Sequence, residues 1–106
     1  QVFGEHWVDF ENFAGEGPHG PFTLGVKECM ILKLLMEKAG QVVSRADIIA
    51  KVWGGDAEPT TRTVDNFIVR IRKCMEVDPH HPRWVHTIRS VGYQFDPEGK
   101  VRKGEE

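Results

Sequence analysis

The chain has 106 residues, enough for one domain with its own core, and its 40% apolar share is ordinary for a compact fold. No apolar run is long enough to cross a bilayer, and the opening QVFGEHWVDF has neither the basic segment nor the apolar block of a secretory signal. Gln1 stands where a start Met would be, so the expectation is a segment of a longer cytoplasmic protein; a formal net charge of −2, taken alone, argues against a polyanion partner.

Residues 2–24 read as short strands. Val8 and Phe10 share one side of a weakly alternating run, Phe22 and Leu24 repeat the pattern, and the turn-forming stretch GEGPHGP over 15–21 separates them. The expectation is a small antiparallel sheet. Residues 26–38, VKECMILKLLMEK, predict a first helix whose stripe is Val26, Met30 and Leu34 with Ile31 and Leu35. Gly25 is its N-cap, Glu28 reaches back to the cap amide, and Gly40 ends it in the left-handed region. Val42 and Val43 form a short extended bridge. Ser44 caps a second helix with Asp47 at the third position, Ile48, Ile49, Val52 and Trp53 on its buried side, and Gly54-Gly55 as its stop.

The run TTRTVDNFIVRIRK, residues 60–73, is the most informative in the chain. Val64, Ile68, Ile71 and Met75 recur at helical spacing on one face, while Arg62, Asn66, Arg70 and Lys73 recur on another. One helix therefore packs a core and displays a row of cations and amides, which suits duplex DNA. The helix is expected over 60–76 and ends before Asp78-Pro79-His80-His81-Pro82. The strand-like pieces 84–88 and 91–95 follow, with Arg89-Ser90 between them, and make a hairpin. Residues 60–93 carry six cations against three anions, so positive charge gathers around this helix in a chain that is acidic overall.

A small sheet, three helices and a terminal hairpin define an α+β winged helix-turn-helix, the hairpin being the wing. One domain spans 1–96, with the sheet over 1–24, the three-helix core over 26–76 and the wing over 84–95. Residues 97–106 are expected to be a flexible polar tail.

From Phe3 to Phe95 the chain resembles the OmpR/PhoB-type winged-helix effector domain of bacterial two-component response regulators. The resemblance rests on Leu24-Gly25-Val26-Lys27-Glu28, Val42-Val43-Ser44-Arg45, Val52-Trp53-Gly54, Arg62-Thr63-Val64-Asp65, Arg70-Ile71-Arg72-Lys73 and Thr87-Ile88-Arg89-Ser90-Val91-Gly92-Tyr93, in that order. It implies that Arg62, Thr63 and Arg70 approach phosphates and base edges, that Trp53 offers its indole N–H to a phosphate, that Thr87 and Tyr93 touch the DNA backbone, and that Arg89 enters the minor groove. Arg72 and Lys73 lie nearer the backbone or pack at the helix end. The loop over residues 54–59 stands where relatives contact RNA polymerase, a second copy is expected on a tandem half-site, and the acidic receiver domain is absent from this segment. Asn66 is placed to pair with adenine if it faces the groove. The chain departs from the pattern at Phe67 and Val69, where relatives often carry polar or basic residues; Phe67 is open to two readings, a thymine-methyl contact or core.

Asp65 has two readings, an orienting partner for Arg62, Arg89 or a base donor, and a plain surface acid. Cys29 and Cys74 read as reduced, partly buried thiols, and His80-His81 as a turn, since nothing nearby supplies further metal ligands. No catalytic triad, phosphate loop or carboxylate pair stands out, so no enzyme activity, cofactor or metal is expected. The other function classes are a winged helix used for protein contact and the cytoplasmic end of a membrane-anchored regulator.

Overall fold

The computed structural model describes residues 1–54 and 59–101. The interior of the 54–59 loop and the end of the polar tail, 102–106, lie outside the described residues. Four strands open the chain: β1 (Val2–Phe3), β2 (His6–Asp9), β3 (Ala14–Gly17) and β4 (Gly20–Thr23), paired antiparallel in sequence order. Then follow α1 (Val26–Glu37), β5 (Val42–Ser44), α2 (Arg45–Trp53), α3 (Thr61–Met75), β6 (Val85–Ile88) and β7 (Gly92–Phe95). This is the expected winged helix-turn-helix.

The helices start where local chemistry allows. Glu28 accepts the Gly25 N–H at 2.9 Å, Ser44 Oγ accepts the Asp47 N–H at 3.1 Å, and Thr60 Oγ1 accepts the Thr63 N–H at 3.3 Å. Gly40 and Gly54 have φ of 84° and 69°, left-handed positions that relieve the chain just after α1 and at the end of α2. In α3 the buried residues are Val64, Ile68, Ile71 and Met75, the predicted face.

The face of α1 differs from expectation. Cys29, Ile31, Leu32, Leu35 and Met36 are buried, whereas Val26 is 56% and Met30 38% exposed. Apolar residues surround this helix almost completely, so periodicity leaves its phase open. Packing on α2 and α3 selects the Cys29–Leu32–Met36 row. The Val42-Val43 bridge is also more than a connector. As β5 it pairs with β7, giving a three-stranded sheet in the order β5-β7-β6. Gly92 permits that pairing, since a Cβ there would overlap the Val43 carbonyl oxygen.

One core joins both sheets and all three helices, with Val8 and Leu24, Ile31 and Leu35, Ile48, Ile68 and Phe95 among its members. Cys29 and Cys74 are free, and burial pushes both thiols up, so they stay protonated. The segment after β7 begins as an ordered turn: Asp96 accepts the Glu98 and Lys100 N–H groups at 2.9 and 3.2 Å, and the Gly99 carbonyl accepts from Arg83 Nε at 2.8 Å.

Glu76, directly after α3, is fully buried. Its carboxylate accepts the backbone N–H groups of Arg83 at 2.7 Å, Trp84 at 3.0 Å and Val85 at 2.9 Å. Burial raises its pKa while these donors pull it down. One side chain thus fixes where the wing departs from α3. Glu76→Ala leaves three interior donors without their acceptor. It should lower the unfolding free energy by on the order of 3 kcal/mol, read as a lower urea midpoint at unchanged m.

Candidate nucleic-acid interface

The outward side of α3 follows from its inward side. With Val64, Ile68, Ile71 and Met75 against the core, residues about half a helical turn away must face solvent. Arg62, Asn66 and Lys73 do so, all exposed, and none is tied to another side chain among the described residues. Arg70 lies on the flank of this row and is 64% exposed. Its guanidinium sits 5.5 Å from the Phe67 ring centroid and 3.6 Å from Glu28, a pair open enough to be screened by water. Thr63 is half-buried in the first turn, where its backbone N–H is held by Thr60.

Phe67 packs. Its ring lies 5.9 Å from that of Trp53, which closes α2 and is itself half-buried. Lys27 stands over the Trp53 ring at 5.5 Å and donates to the Val52 carbonyl at 3.2 Å. This puts a cation at the last carbonyls of α2, where the helix dipole favours one. Sequence reasoning missed Lys27, which looked like a solvated helix residue.

A second group of side chains ties α2, α3 and the wing together. Arg45 Nε donates to Asp65 Oδ1 at 2.8 Å, and Arg45 Nη2 donates to the Tyr93 hydroxyl at 3.4 Å. The Tyr93 hydroxyl donates in turn to Asp65 Oδ1. The Arg45 guanidinium covers the Tyr93 ring at 4.9 Å. Two helical turns further along α3, Arg72 Nε donates to the Val85 carbonyl at 3.0 Å and Arg72 Nη2 to Thr87 Oγ1 at 2.7 Å.

Two expectations change here and one alternative is selected. Asp65 orients Arg45 and Tyr93 rather than Arg62 or Arg89. Arg72 takes the packing alternative and braces the wing. Tyr93, only 3% exposed, and Thr87 sit inside this bracing cluster, their hydroxyls engaged within the protein. Arg45 was missed as a bracing residue, although the sequence carries a signal: a cation at the first position of a helix opposes the dipole and calls for a nearby anion.

Arg89 occupies the tip of the β6–β7 hairpin, exposed beside Ser90 at φ 65°. The Val91 N–H closes this turn on the Ile88 carbonyl at 2.9 Å. His81 Nδ1 lies 2.9 Å from Asp78, within a turn, and among the described residues no cluster suited to a metal ion occurs. Nor is any described helix long and apolar enough to cross a membrane.

Burial and the Asp65 carboxylate push the Tyr93 hydroxyl up to about 12. Tyr93 is the single tyrosine of the chain, so phenolate absorbance reads it alone. Titration should give a midpoint near 12 in the folded chain and about 10 after unfolding. The folded state holds this proton more tightly. Its stabilising contribution is therefore complete below the unfolded value and disappears as pH rises through the folded one. Asp65→Asn should lower the folded midpoint, with burial keeping it above the unfolded value.

Comparison with known proteins places this geometry. The family model described as "Transcriptional regulatory protein, C terminal" matches residues 19–95. The sensory transduction protein RegX3 of Mycolicibacterium smegmatis is 38% identical over 76 residues, which cover 72% of this chain and 33% of that protein. This chain thus spans about a third of the length of such relatives. Among solved structures, the Thermotoga maritima response regulator DrrB, an OmpR/PhoB homologue, is 38% identical with a TM-score of 0.80, over 91% of this chain and 43% of that one. The Klebsiella pneumoniae RstA DNA-binding domain, solved in complex with the RstA box, is 27% identical with a TM-score of 0.76, over 92% and 96%.

Proposed function

The chain belongs to the family of C-terminal domains of transcriptional regulatory proteins, and we propose that it reads specific duplex DNA sites through α3 and the wing as the effector half of a response regulator. The observation that carries this reading is the exposed row Arg62, Asn66 and Lys73, with Arg70 beside it, on a helix whose opposite face is wholly in the core. A helix fits the major groove, where each base pair presents a distinct pattern of donors and acceptors. Arg62, Thr63, Asn66 and Arg70 serve the N-terminal and middle part of that contact. Lys73 lies at the far end, toward the phosphates. Arg89 projects from the wing into the minor groove, whose narrow A-tract form attracts arginine. Trp53, packed on Phe67, offers its indole N–H to a phosphate. Thr87 and Tyr93 act by holding the wing at a fixed distance from α3.

One such domain makes few contacts, so useful affinity comes from two copies on tandem half-sites. Phosphorylation of a receiver elsewhere in the full-length protein drives that pairing, and the protein works in the cytoplasm. The proposed RNA polymerase contact through residues 54–59 has the family resemblance as its support.

With ~4–6 phosphate contacts, log affinity should fall against log salt with a slope of about −4 to −5. Lys73→Ala should weaken all sequences alike and reduce that slope by about 1. Arg62→Ala and Arg70→Ala should each cost about 1–3 kcal/mol at a selected site and relax its specificity. Site selection from a random pool, followed by salt titration, measures all three. A response flat in salt, with a protein retained along α3 instead, would replace this reading with a protein-docking one.

A further inference from the structure

We propose that Val69 reads the C5 methyl group of a thymine in the major groove. The inference rests on the DNA-binding reading above and deepens it by assigning one position of the base code.

Val69 is 48% exposed, and among the described residues it is the exposed large apolar side chain of α3. A single exposed valine is ordinary on a protein surface. Its neighbours make this one different. Arg62, Asn66, Val69 and Lys73 are spaced at i, i+4, i+7 and i+11, so they form one ridge on the side opposite the buried face. Val69 is the one apolar member of a ridge otherwise made of two cations and an amide. If the ridge served only solvation or phosphate attraction, a long polar side chain there would favour the helix more than a β-branched one.

Phe67, the residue that chain order offered as an alternative methyl contact, is on the wrong side. It lies two residues away, about 160° around the helix, where Trp53 and the Arg70 guanidinium enclose it. Val69 therefore lies on the ridge that enters a groove, between Asn66 and Lys73.

The chemistry of the groove floor is specific. Thymine alone among the four bases presents a methyl group on its major-groove edge. Removing that methyl and the valine methyls from water together is favourable, and neither needs a hydrogen-bond partner. Valine is held in one strongly preferred rotamer on a helix, so little side-chain freedom is lost when the contact forms. Arg62 and Asn66 supply hydrogen-bonding readout on the same ridge, with Val69 adding an apolar letter between Asn66 and Lys73.

The test uses the 106-residue chain and a duplex selected from a random pool. Each thymine of the selected duplex is replaced in turn by deoxyuridine, which lacks only the methyl group. At one thymine of the half-site, the substitution should weaken binding by about three- to ten-fold, as expected for burial of a methyl group. Val69→Ala should bind the thymine and uridine duplexes within about twofold of each other while keeping the wild-type salt slope. Val69→Thr, which preserves shape and exchanges a methyl for a hydroxyl, should show a smaller thymine preference than the wild type. Thermal melts of both variants check that the fold is intact, as expected for an exposed site. A flat uridine scan, or a uridine penalty that persists in Val69→Ala, overturns the assignment while salt-dependent binding stands. Selection of a site with no thymine also overturns it. If no duplex is retained in a salt-dependent way, the DNA-binding reading itself fails and this assignment fails with it.

Discussion

Everything that positions the interface depends on how the side of α3 grips the wing. Asp65 and Arg72 lie seven residues apart, about two turns, on one flank of the helix. Asp65 holds Tyr93, and Arg72 holds Thr87. Thr87 and Tyr93 are direct partners across the β6–β7 ladder. The helix therefore grips both strands of the hairpin at one level, which fixes the distance and the rotation of the wing together. Arg45 extends the same grip to the start of α2. As energy, the Arg45–Asp65 pair counts for little, because both side chains retain contact with water. As geometry it counts for more, since the nearly buried Tyr93 hydroxyl needs a partner and Asp65 is the one in place. Arg89 stands two residues beyond Thr87, so its reach is set by the same contacts.

The distribution of charge follows from that grip. A count of residues 60–93 gives an excess of three cations, yet two of the cations are engaged by backbone and side-chain groups of the protein itself. Arg72 is bound to the wing, and Arg83 is bound to the Gly99 carbonyl and lies 5.7 Å from the Trp84 ring. The three anions of the stretch also have partners within the protein. Asp65 is tied to Arg45, Glu76 is buried among backbone donors, and Asp78 is occupied by His81. Arg62, Arg70, Lys73 and Arg89 remain displayed. A chain of net charge −2 can thus present a cationic ridge, because folding pairs off charges of both signs that composition counts equally.

Elements governed by neighbours in sequence were legible before the structure. The cap at Ser44 and the two faces of α3 depend on residues within one or two turns, and they stand as the spacing predicts. The elements that escaped depend on distant partners. β5 is a strand because β7 runs beside it about fifty residues later, and a close approach at Gly92 is invisible in a list of turn formers. The phase of α1 was open because its apolar residues nearly encircle it, and only tertiary packing chooses among them. The interface divides in the same way. The row on α3 was readable from periodicity. The bracing roles of Tyr93, Thr87, Asp65 and Arg45 join positions up to 48 residues apart, which no local pattern encodes.

Arg45 and Arg62 together separate structure from function in this fold. Each stands in the first turn of a helix, at the positive end of its dipole, where a cation is unfavourable by roughly 0.3–1 kcal/mol. In α2 the cost is offset inside the molecule, because Asp65 and Tyr93 receive the guanidinium and Asp47 shares the first turn. In α3 no acid lies in the first turn, and among the described residues Arg62 has no anionic partner. Its charge, the free N–H groups of the first turn and the helix dipole all add with the same sign. Such an end is electrostatically incomplete until an anion meets it, and a phosphate supplies that charge together with acceptors for the N–H groups. The same residue type in the first turn is thus satisfied from within in one helix and open in the other. That contrast, more than the number of cations, supports the proposal that the start of α3 is the end that meets DNA.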